Sequence, residues 1–340
     1  MDRPARVPSA TLDDVAVLAR VSRATASRVL AGSGRVSERA QQAVRQAAEE
    51  LSYVPRQSAR ELVTRRSDAI GFVVAESRER FFGDPYFAGV LRGAQAAAAE
   101  QRRQIMFAMI STEDDHASFE EYALGGHLGG AMFLSVHATE RLPARLARLG
   151  VPVVLAGRPP DQRSTLPFVA PDNVAGGRLA AHALLERGCR RIATITGPGD
   201  MTASGDRLLG FRAELAENGY ALTDDHVVAG DFSPDSGYAS AQTLLGRDGE
   251  IDGIFAASDL MALGAMRALR ESGREIPGDV AVVGYDDVPL AAQAHPPLTT
   301  VRQPLEAMGR QMTRMLLDAL DGRRVTSATL AVELVSRDSA

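Results

Sequence analysis

Apolar positions in the first fifty residues form three short helical stripes. Leu12, Val15, Ala16 and Ala19 share one face behind Thr11, and Asp14 three residues on makes an approximate capping box with it. After a very tight turn at Arg20 and Val21, Ser22 is a good N-cap, and Ala26, Val29 and Leu30 point inward. That leaves Arg23, Ala24, Ser27 and Arg28 facing outward. Gly32, Ser33 and Gly34 break the chain, Ser37 caps a third helix, and Ala40, Val44, Ala47, Ala48 and Leu51 give its buried stripe. Three short helices with a tight first turn predict a helix-turn-helix, whose second helix can enter a DNA major groove N-terminus first. There Arg pairs bidentately with guanine, and Ala offers a small apolar contact such as a thymine methyl. The competing role for the same residues is an ordinary solvated face.

From residue 69 onward the period changes. Short apolar runs at 69–75, 104–110, 130–135, 152–156, 191–196, 252–257 and 280–284 alternate with amphipathic stretches at 86–101, 173–187, 207–218 and 259–272. This is the pattern of an α/β protein with parallel strands linked by helices. The series begins anew near residue 170, which implies two similar lobes. Ligands bind outside the carboxyl ends of such strands, so the residues just after each run carry the candidate chemistry. These are the aromatic run 81–87 with Phe82, Asp84, Tyr86 and Phe87, then Arg158, Asp172, Arg207, Ser258 with Asp259, and Asp286. Carboxylates and guanidinium groups that pair with vicinal hydroxyls, beside rings that cover an apolar face, suit a polyhydroxylated ligand. Without tryptophan in the chain, stacking falls to Phe82, Tyr86, Phe87 and Phe232. Asp172, Asp259 and Asp286 have an alternative role as N-caps, Phe87 as core, and Arg158 and Arg207 as surface charges.

Charge sharpens the division between the two parts. Residues 1–66 hold 12 arginines against 7 acids, while the remaining 274 hold 26 against 36, so a basic head of +5 precedes an acidic body of −10. That asymmetry points to nucleic acid for the head. All 38 basic residues are arginine, so arginine abundance counts for less here than arginine position. No 18-residue apolar run predicts a transmembrane helix, no apolar segment near Met1 predicts export, and the lone Cys189 excludes an internal disulfide. A cytoplasmic location is the expectation.

The motifs Thr11-Leu-Asp-Asp-Val-Ala, Val21-Ser-Arg-Ala-Thr-Ala-Ser-Arg-Val-Leu30, Val36-Ser and Leu51-Ser-Tyr-Val-Pro55 closely resemble the DNA-binding head of the lactose-repressor/galactose-repressor (LacI/GalR) regulators, with no gap in spacing. Two positions depart: Arg20 stands where the family has glycine, and Ala26 replaces a valine. The resemblance implies DNA contacts from Thr11, Arg23, Ala24, Thr25, Ser27 and Arg28. It also implies that 55–67 is a hinge helix and linker, whose Ala59, Arg60 and Leu62 meet the minor groove, Leu62 as a wedge in the central base step. In the body, Asp252-Gly-Ile-Phe-Ala-Ala-Ser-Asp-Leu-Met-Ala-Leu-Gly264, Val280-Ala-Val-Val-Gly-Tyr-Asp-Asp287 and Pro297-Leu-Thr-Thr-Val-Arg-Gln303 resemble the family's effector-domain signatures. These imply ligand roles for Arg207, Asp286, Phe232 and Gln303, while Ser258 departs from the family's asparagine. The implied architecture is a helix-turn-helix head (1–54), the hinge (55–67) and a two-lobed periplasmic-binding-protein-like domain (68–340). Its first lobe takes 68–169 and 299–328, its second 170–298 and 329–340.

Within the family, the run 81–87 together with Val63-Thr-Arg-Arg-Ser-Asp-Ala-Ile70 most resembles actinobacterial repressors of cellobiose and glucoside utilisation. The expected effector is a disaccharide or short oligosaccharide, the expected operator an inverted repeat with a central CG step, and the expected assembly a homodimer on it. An enzyme is the rival class. Asp286 and Asp287 are adjacent rather than converging across a bond, and the six histidines lack metal-ligand spacing. Neither a nucleophile elbow nor a phosphate loop occurs, so no catalytic residue, metal or cofactor is expected. An exported sugar receptor would share the body but not the head.

Overall fold

The computed structural model describes residues 10–30, 36–53, 67, 69–161 and 163–340. The chain separates into two compact units, residues 1–66 and 67–340. In the first, α1 (Leu12–Leu18), α2 (Arg23–Leu30) and α3 (Glu38–Glu50) surround Val15, Ala16, Ala26, Val29, Val44, Ala47 and Ala48. The capping box forms in full: the Asp14 amide donates to Thr11 Oγ1 at 3.3 Å, and the Thr11 amide to Asp14 Oδ2 at 2.7 Å. Ser22 and Ser37 cap the next two helices through the amides of Thr25 and Ala40. Arg20 adopts φ 55° in the turn. A side chain in that left-handed region costs about 1–2 kcal/mol, part of which glycine would lose again to its freer unfolded chain. Arg20→Gly is therefore expected to stabilise the head by about 0.5–1 kcal/mol, read as a higher head transition in calorimetry on the whole chain.

The second unit begins with β1 (Ala69–Val74), α4 (Arg78–Gly83), α5 (Pro85–Glu100), β2 (Gln104–Met109) and α6 (Glu113–Tyr122). A π turn over 123–127 leads to β3 (Gly130–Leu134), α7 (Leu142–Arg148), β4 (Val153–Ala156) and β5 (Phe168–Pro171). There follow α8 (Asn173–Arg187), β6 (Ile192–Thr196), α9 (Thr202–Glu217), β7 (Val227–Ala229), α10 (Pro234–Arg247), β8 (Gly253–Ala256) and α11 (Asp259–Glu271). The chain continues through β9 (Ala281–Asp286), α12 (Pro289–Gln293), β10 (Thr299–Arg302), α13 (Leu305–Leu320), β11 (Ala328–Leu330) and β12 (Glu333–Val335).

Two six-stranded sheets result, ordered β11-β5-β4-β3-β1-β2 and β12-β10-β9-β8-β6-β7, parallel except for the β10 and β12 pair. Both are doubly wound. In β1, Ile70, Phe72 and Val74 pack with α5 and α13, while Val73 faces Phe119 of α6 and Leu142 and Leu146 of α7. The period-two alternation of a strand buried on both sides thus feeds two cores. The chain crosses between sheets after Pro171, Arg302 and Leu330. The middle crossing differs from the expected one at 298, because Thr299–Arg302 pairs in register with β9 of the second sheet. Thr299 and Thr300 are fully enclosed there, which a polar pair conceals in the sequence.

The α8 and α9 helices approach until a Cβ on Gly177 would collide with the Arg207 carbonyl, and one on Gly210 with the Val174 carbonyl. Gly93 with Gly309, and Gly237 with Gly264, play the same part in the other two closely packed helix pairs. Gly210→Val is expected to cost about 1–3 kcal/mol or more through overpacking, whereas Gly205→Ala, one turn away in open space, gains about 0.5–1 kcal/mol. Urea unfolding of the two variants checks the contrast.

Candidate functional site

In the head, Arg23, Ala24, Ser27 and Arg28 are exposed on α2, and Thr25 is half-buried because its hydroxyl meets Ser22 Oγ at 2.9 Å. Arg23 Nε lies 3.5 Å from Asp13 Oδ1 with both side chains largely in solvent, a pairing worth little. Among the described residues no acidic side chain pairs with Arg28. Thr11 Oγ1 donates to Asp14 Oδ2 at 2.7 Å, so its hydroxyl proton serves the cap. Ala59, Arg60 and Leu62 lie outside the described residues.

The carboxyl ends of the strands in the larger unit converge on a cleft of about 560 Å³, open to solvent on one side. A concave, mostly apolar cleft with a few convergent polar groups is the usual form of a small-molecule site. Of the twelve residues expected to bind ligand, Asp84, Tyr86, Arg207, Phe232, Ser258, Asp286 and Gln303 line it. Asp84 caps α5 through the Tyr86 amide at 2.9 Å, and Ser258 caps α11 through the Met261 amide at 3.2 Å. Both caps double as cleft wall.

Arg207 is an enclosed and firmly anchored cation. It sits in the second turn of α9, which starts at Thr202 rather than at Arg207 as the sequence suggested; Met201 offers no side-chain cap to mark the start. Its Nε donates to Asn173 Oδ1 at 2.9 Å, its Nη1 to the Ala257 carbonyl at 2.5 Å, and its guanidinium stacks 3.7 Å from the Tyr285 ring centroid. Asp286 Oδ1 is 3.9 Å from Nη1 and also accepts from Gln303 Nε2. Burial pushes the Asp286 carboxyl up to about 7, with Arg207 pulling the other way. Burial likewise raises the Asp84 carboxyl, and it pushes the Tyr285 hydroxyl up to about 12. Two enclosed acids beside a single enclosed guanidinium leave unsatisfied acceptor capacity, which ligand hydroxyls can fill.

The other five candidates lie elsewhere. Phe87 is fully enclosed in the core, its ring 5.4 Å from Phe81, whereas Phe82 is 79% exposed. Asp172 caps α8 through the Ala175 amide. Asp259 is fully enclosed, accepting from the Val288 amide at 2.8 Å and Thr300 Oγ1 at 2.5 Å, so it ties α11 to β10. Arg158 pairs with Asp206 at 2.5 Å and its carbonyl accepts from Thr202 Oγ1, which joins the lobes beside the cleft. Cleft residues absent from the expected set include Arg80, Ser135, Asn173, Met201 and Met308. Asn173 directly follows Asp172, and its cleft role rests on the distant Arg207 rather than on any local signal. The buried Cys189 donates to the Asp252 carbonyl and has its thiol pushed up to about 11, which fits packing.

Residues 11–56 match bacterial regulatory proteins of the lacI family, and residues 181–340 match a periplasmic binding protein-like domain. The HTH-type transcriptional regulator CelR of Thermobifida fusca is 45% identical over 334 residues, 97% of this chain and 98% of that protein. The chain belongs to the lacI family. Among solved structures, the lacI-family regulator CelR in complex with cellobiose superposes with a TM-score of 0.79 at 42% identity, covering 97% of this chain and all of that one. The lac repressor dimer bound to operator and the anti-inducer ONPF gives a TM-score of 0.87 at 26% identity over 98% and 99% of the two chains. As a lacI-family member the chain is a DNA-binding transcription regulator with an effector domain, and its relatives are regulators rather than enzymes. Among the described residues no group of acids, histidines and cysteine is placed to hold a metal, and no helix is long and apolar enough to cross a membrane.

Proposed function

We propose that the protein is a homodimeric repressor of carbohydrate-utilisation genes that leaves a palindromic operator when cellobiose or a related short glucoside binds the interlobe cleft. The observation that carries this reading is the enclosed constellation of Arg207, Asp286, Asp84 and Gln303 around Phe232, a donor and acceptor set for vicinal hydroxyls beside an aromatic face. Full-length similarity to a regulator solved with cellobiose supports the choice of sugar. On the head, Arg23, Ala24 and Arg28 read base edges, while Thr11, Thr25 and Ser27 contact backbone phosphates. Residues 59, 60 and 62 are assigned to the minor groove by family pattern alone. Two heads on a two-fold dimer read the two halves of a palindrome. A sugar releases DNA only by binding the DNA-incompetent arrangement more tightly, so operator DNA must reciprocally weaken sugar binding.

The test is operator binding at fixed salt, with fluorescent duplexes carrying the palindromes next to the protein's own gene and a panel of cellobiose, maltose, trehalose and glucose. Release by cellobiose alone, at concentrations that leave a scrambled duplex unaffected, is expected. Specific binding insensitive to every sugar would sink the effector assignment, and the absence of specific binding would sink the repressor.

A further inference from the structure

His137 lies just beyond the end of β3, and both of its ring nitrogens face carboxylates. Nε2 is 3.2 Å from Glu76 Oε1 and Nδ1 is 2.8 Å from Asp200 Oδ2. Glu76 follows β1 of the first sheet, whereas Asp200 follows β6 of the second, so the ring spans the two lobes. The main chain reinforces the approach, the Ala138 amide donating to the Asp200 carbonyl at 3.1 Å. Ionised carboxylates only accept hydrogen bonds. A neutral imidazole has one N–H and would turn its lone pair on the second acid, so only the imidazolium satisfies both.

The cluster continues into the cleft. Glu76 accepts from Ser135 Oγ at 2.6 Å and pairs with Arg80 Nη1. The Arg80 guanidinium in turn stands 4.8 Å over the ring of Phe232, which belongs to the second lobe. Its Nε is enclosed and has no hydrogen-bond partner. A buried donor left unpaired costs about 1–3 kcal/mol, and a ligand oxygen at this wall would relieve that cost.

We propose that His137, as the imidazolium, is a positioning residue of the effector site: it clasps the two lobes at the cleft mouth and, through Glu76, holds Arg80 over Phe232, where the free Nε–H meets a sugar hydroxyl. This rests on the reading that the cleft takes the effector. A sugar touched by Asp84 from one lobe and Arg207 from the other needs the lobes close together, which is the arrangement the clasp maintains. Other charged groups surround the ring, with Arg141, Arg148, Asp161 and Arg163 along the wall that His137 shares with Glu140. Glu140 donates its amide to the His137 carbonyl while its carboxylate engages His116 and the Leu142 amide, and Glu79, Asp84 and Asp231 line the space of about 970 Å³ that His137 and Arg80 share.

The hydrogen bond to Glu76, opposed by burial and supported by Asp200, raises the imidazole above its ordinary range. The clasp is therefore complete below the ordinary histidine value and is lost as pH rises through the elevated one. Affinity for the effector falls over that same window. Asp286 titrates nearby, at about 7, so the comparison between variants isolates His137.

The experiment has two arms on the full chain. In the first, cellobiose affinity is measured by calorimetry at pH 6.0, 7.0 and 8.5 for the wild type, His137→Gln and Asp200→Asn. The wild type is expected to weaken about threefold to tenfold between pH 6.0 and 8.5, a one-unit change in pKa corresponding to tenfold, and both variants to lose that fall. An alkaline fall as large in His137→Gln as in the wild type overturns the proposal. In the second, NMR follows the His137 ring carbons with no sugar present. Titration above the ordinary histidine value, lowered by Asp200→Asn, supports the clasp, and titration at the ordinary value that ignores Asp200→Asn overturns it. Should cellobiose bind at no pH, the effector reading fails while the second arm still decides the clasp.

Discussion

Arg207→Ala is expected to abolish release from the operator and to weaken cellobiose binding about 100-fold or more, since hydrogen bonds to charged groups are worth roughly 1.5–3 kcal/mol each and the guanidinium has further N–H groups beyond those bonded to Asn173 and Ala257. The same change strips an enclosed carboxylate of its counter-charge. Asp286 then keeps Gln303 and the Asp259 amide as donors but has lost its counter-charge, and breaking a buried pair of this kind costs about 3–5 kcal/mol. The cost depends on pH in a direction that can be worked out. Burial already pushes Asp286 to about 7, above its value in the unfolded chain, and removing Arg207 pushes it further. The folded state then binds the extra proton, so the variant loses stability as pH rises from the ordinary carboxylate range through the raised value. Thermal melts of the variant should fall further behind the wild type at pH 8 than at pH 5.5. An Arg207→Ala protein that still leaves the operator at wild-type cellobiose concentrations would remove Arg207 from the effector site.

Arg23→Ala and Arg28→Ala should each weaken operator binding by about 1–3 kcal/mol, roughly five- to 150-fold, and relax the preference at the base pair each one reads. Binding to a scrambled duplex should drop far less. Both side chains start free: Arg28 has no acidic partner among the described residues, and the Arg23 pair with Asp13 is solvated on both sides. Little must be broken before either reaches a base. Anisotropy titrations at two salt concentrations separate the outcomes. An equal loss on operator and scrambled DNA, with a salt slope shallower by about one, would make that arginine a phosphate contact.

The head was legible almost residue by residue, because what defines it is local. A capping box, two serine caps and a three-helix stripe pattern all lie within a few positions of the groups they organise. The α8 helix was equally plain from Asn173 to Arg187, ending on Gly188 in the left-handed conformation. The cleft was only partly so. The run 81–87 offered Phe82, Tyr86 and Phe87 alike for stacking, but helical phase sends Phe87 inward and Phe82 to solvent and leaves Tyr86 at the wall. Asn173 and His137 gain their meaning from partners 34 to 63 residues away, and Arg80 from the distant Phe232, which no short window contains. Backbone strain was hidden as well. Of the seven non-glycine residues with positive φ among those described, Ser135, Phe232, Asp286 and Asp287 all follow or end strands around the cleft. Such conformations persist where surrounding structure over-determines them, and they gather at binding sites.

The threading of the last forty residues sets an order of events during synthesis. The three helices that make the head are complete by residue 50, and among the described residues their core draws on nothing beyond residue 53. Neither sheet can close so early: the first lacks β11 until residue 330, and the second lacks β10 and β12 until residue 335. The α13 helix, which supplies Met308, Met312, Met315 and Leu316 to the first core, also arrives late. A ribosome that stopped near residue 298 would therefore release a finished DNA-reading head attached to two unfinished lobes. Such a fragment would carry the head's folded core with neither sheet closed, and so without the cleft that answers a sugar.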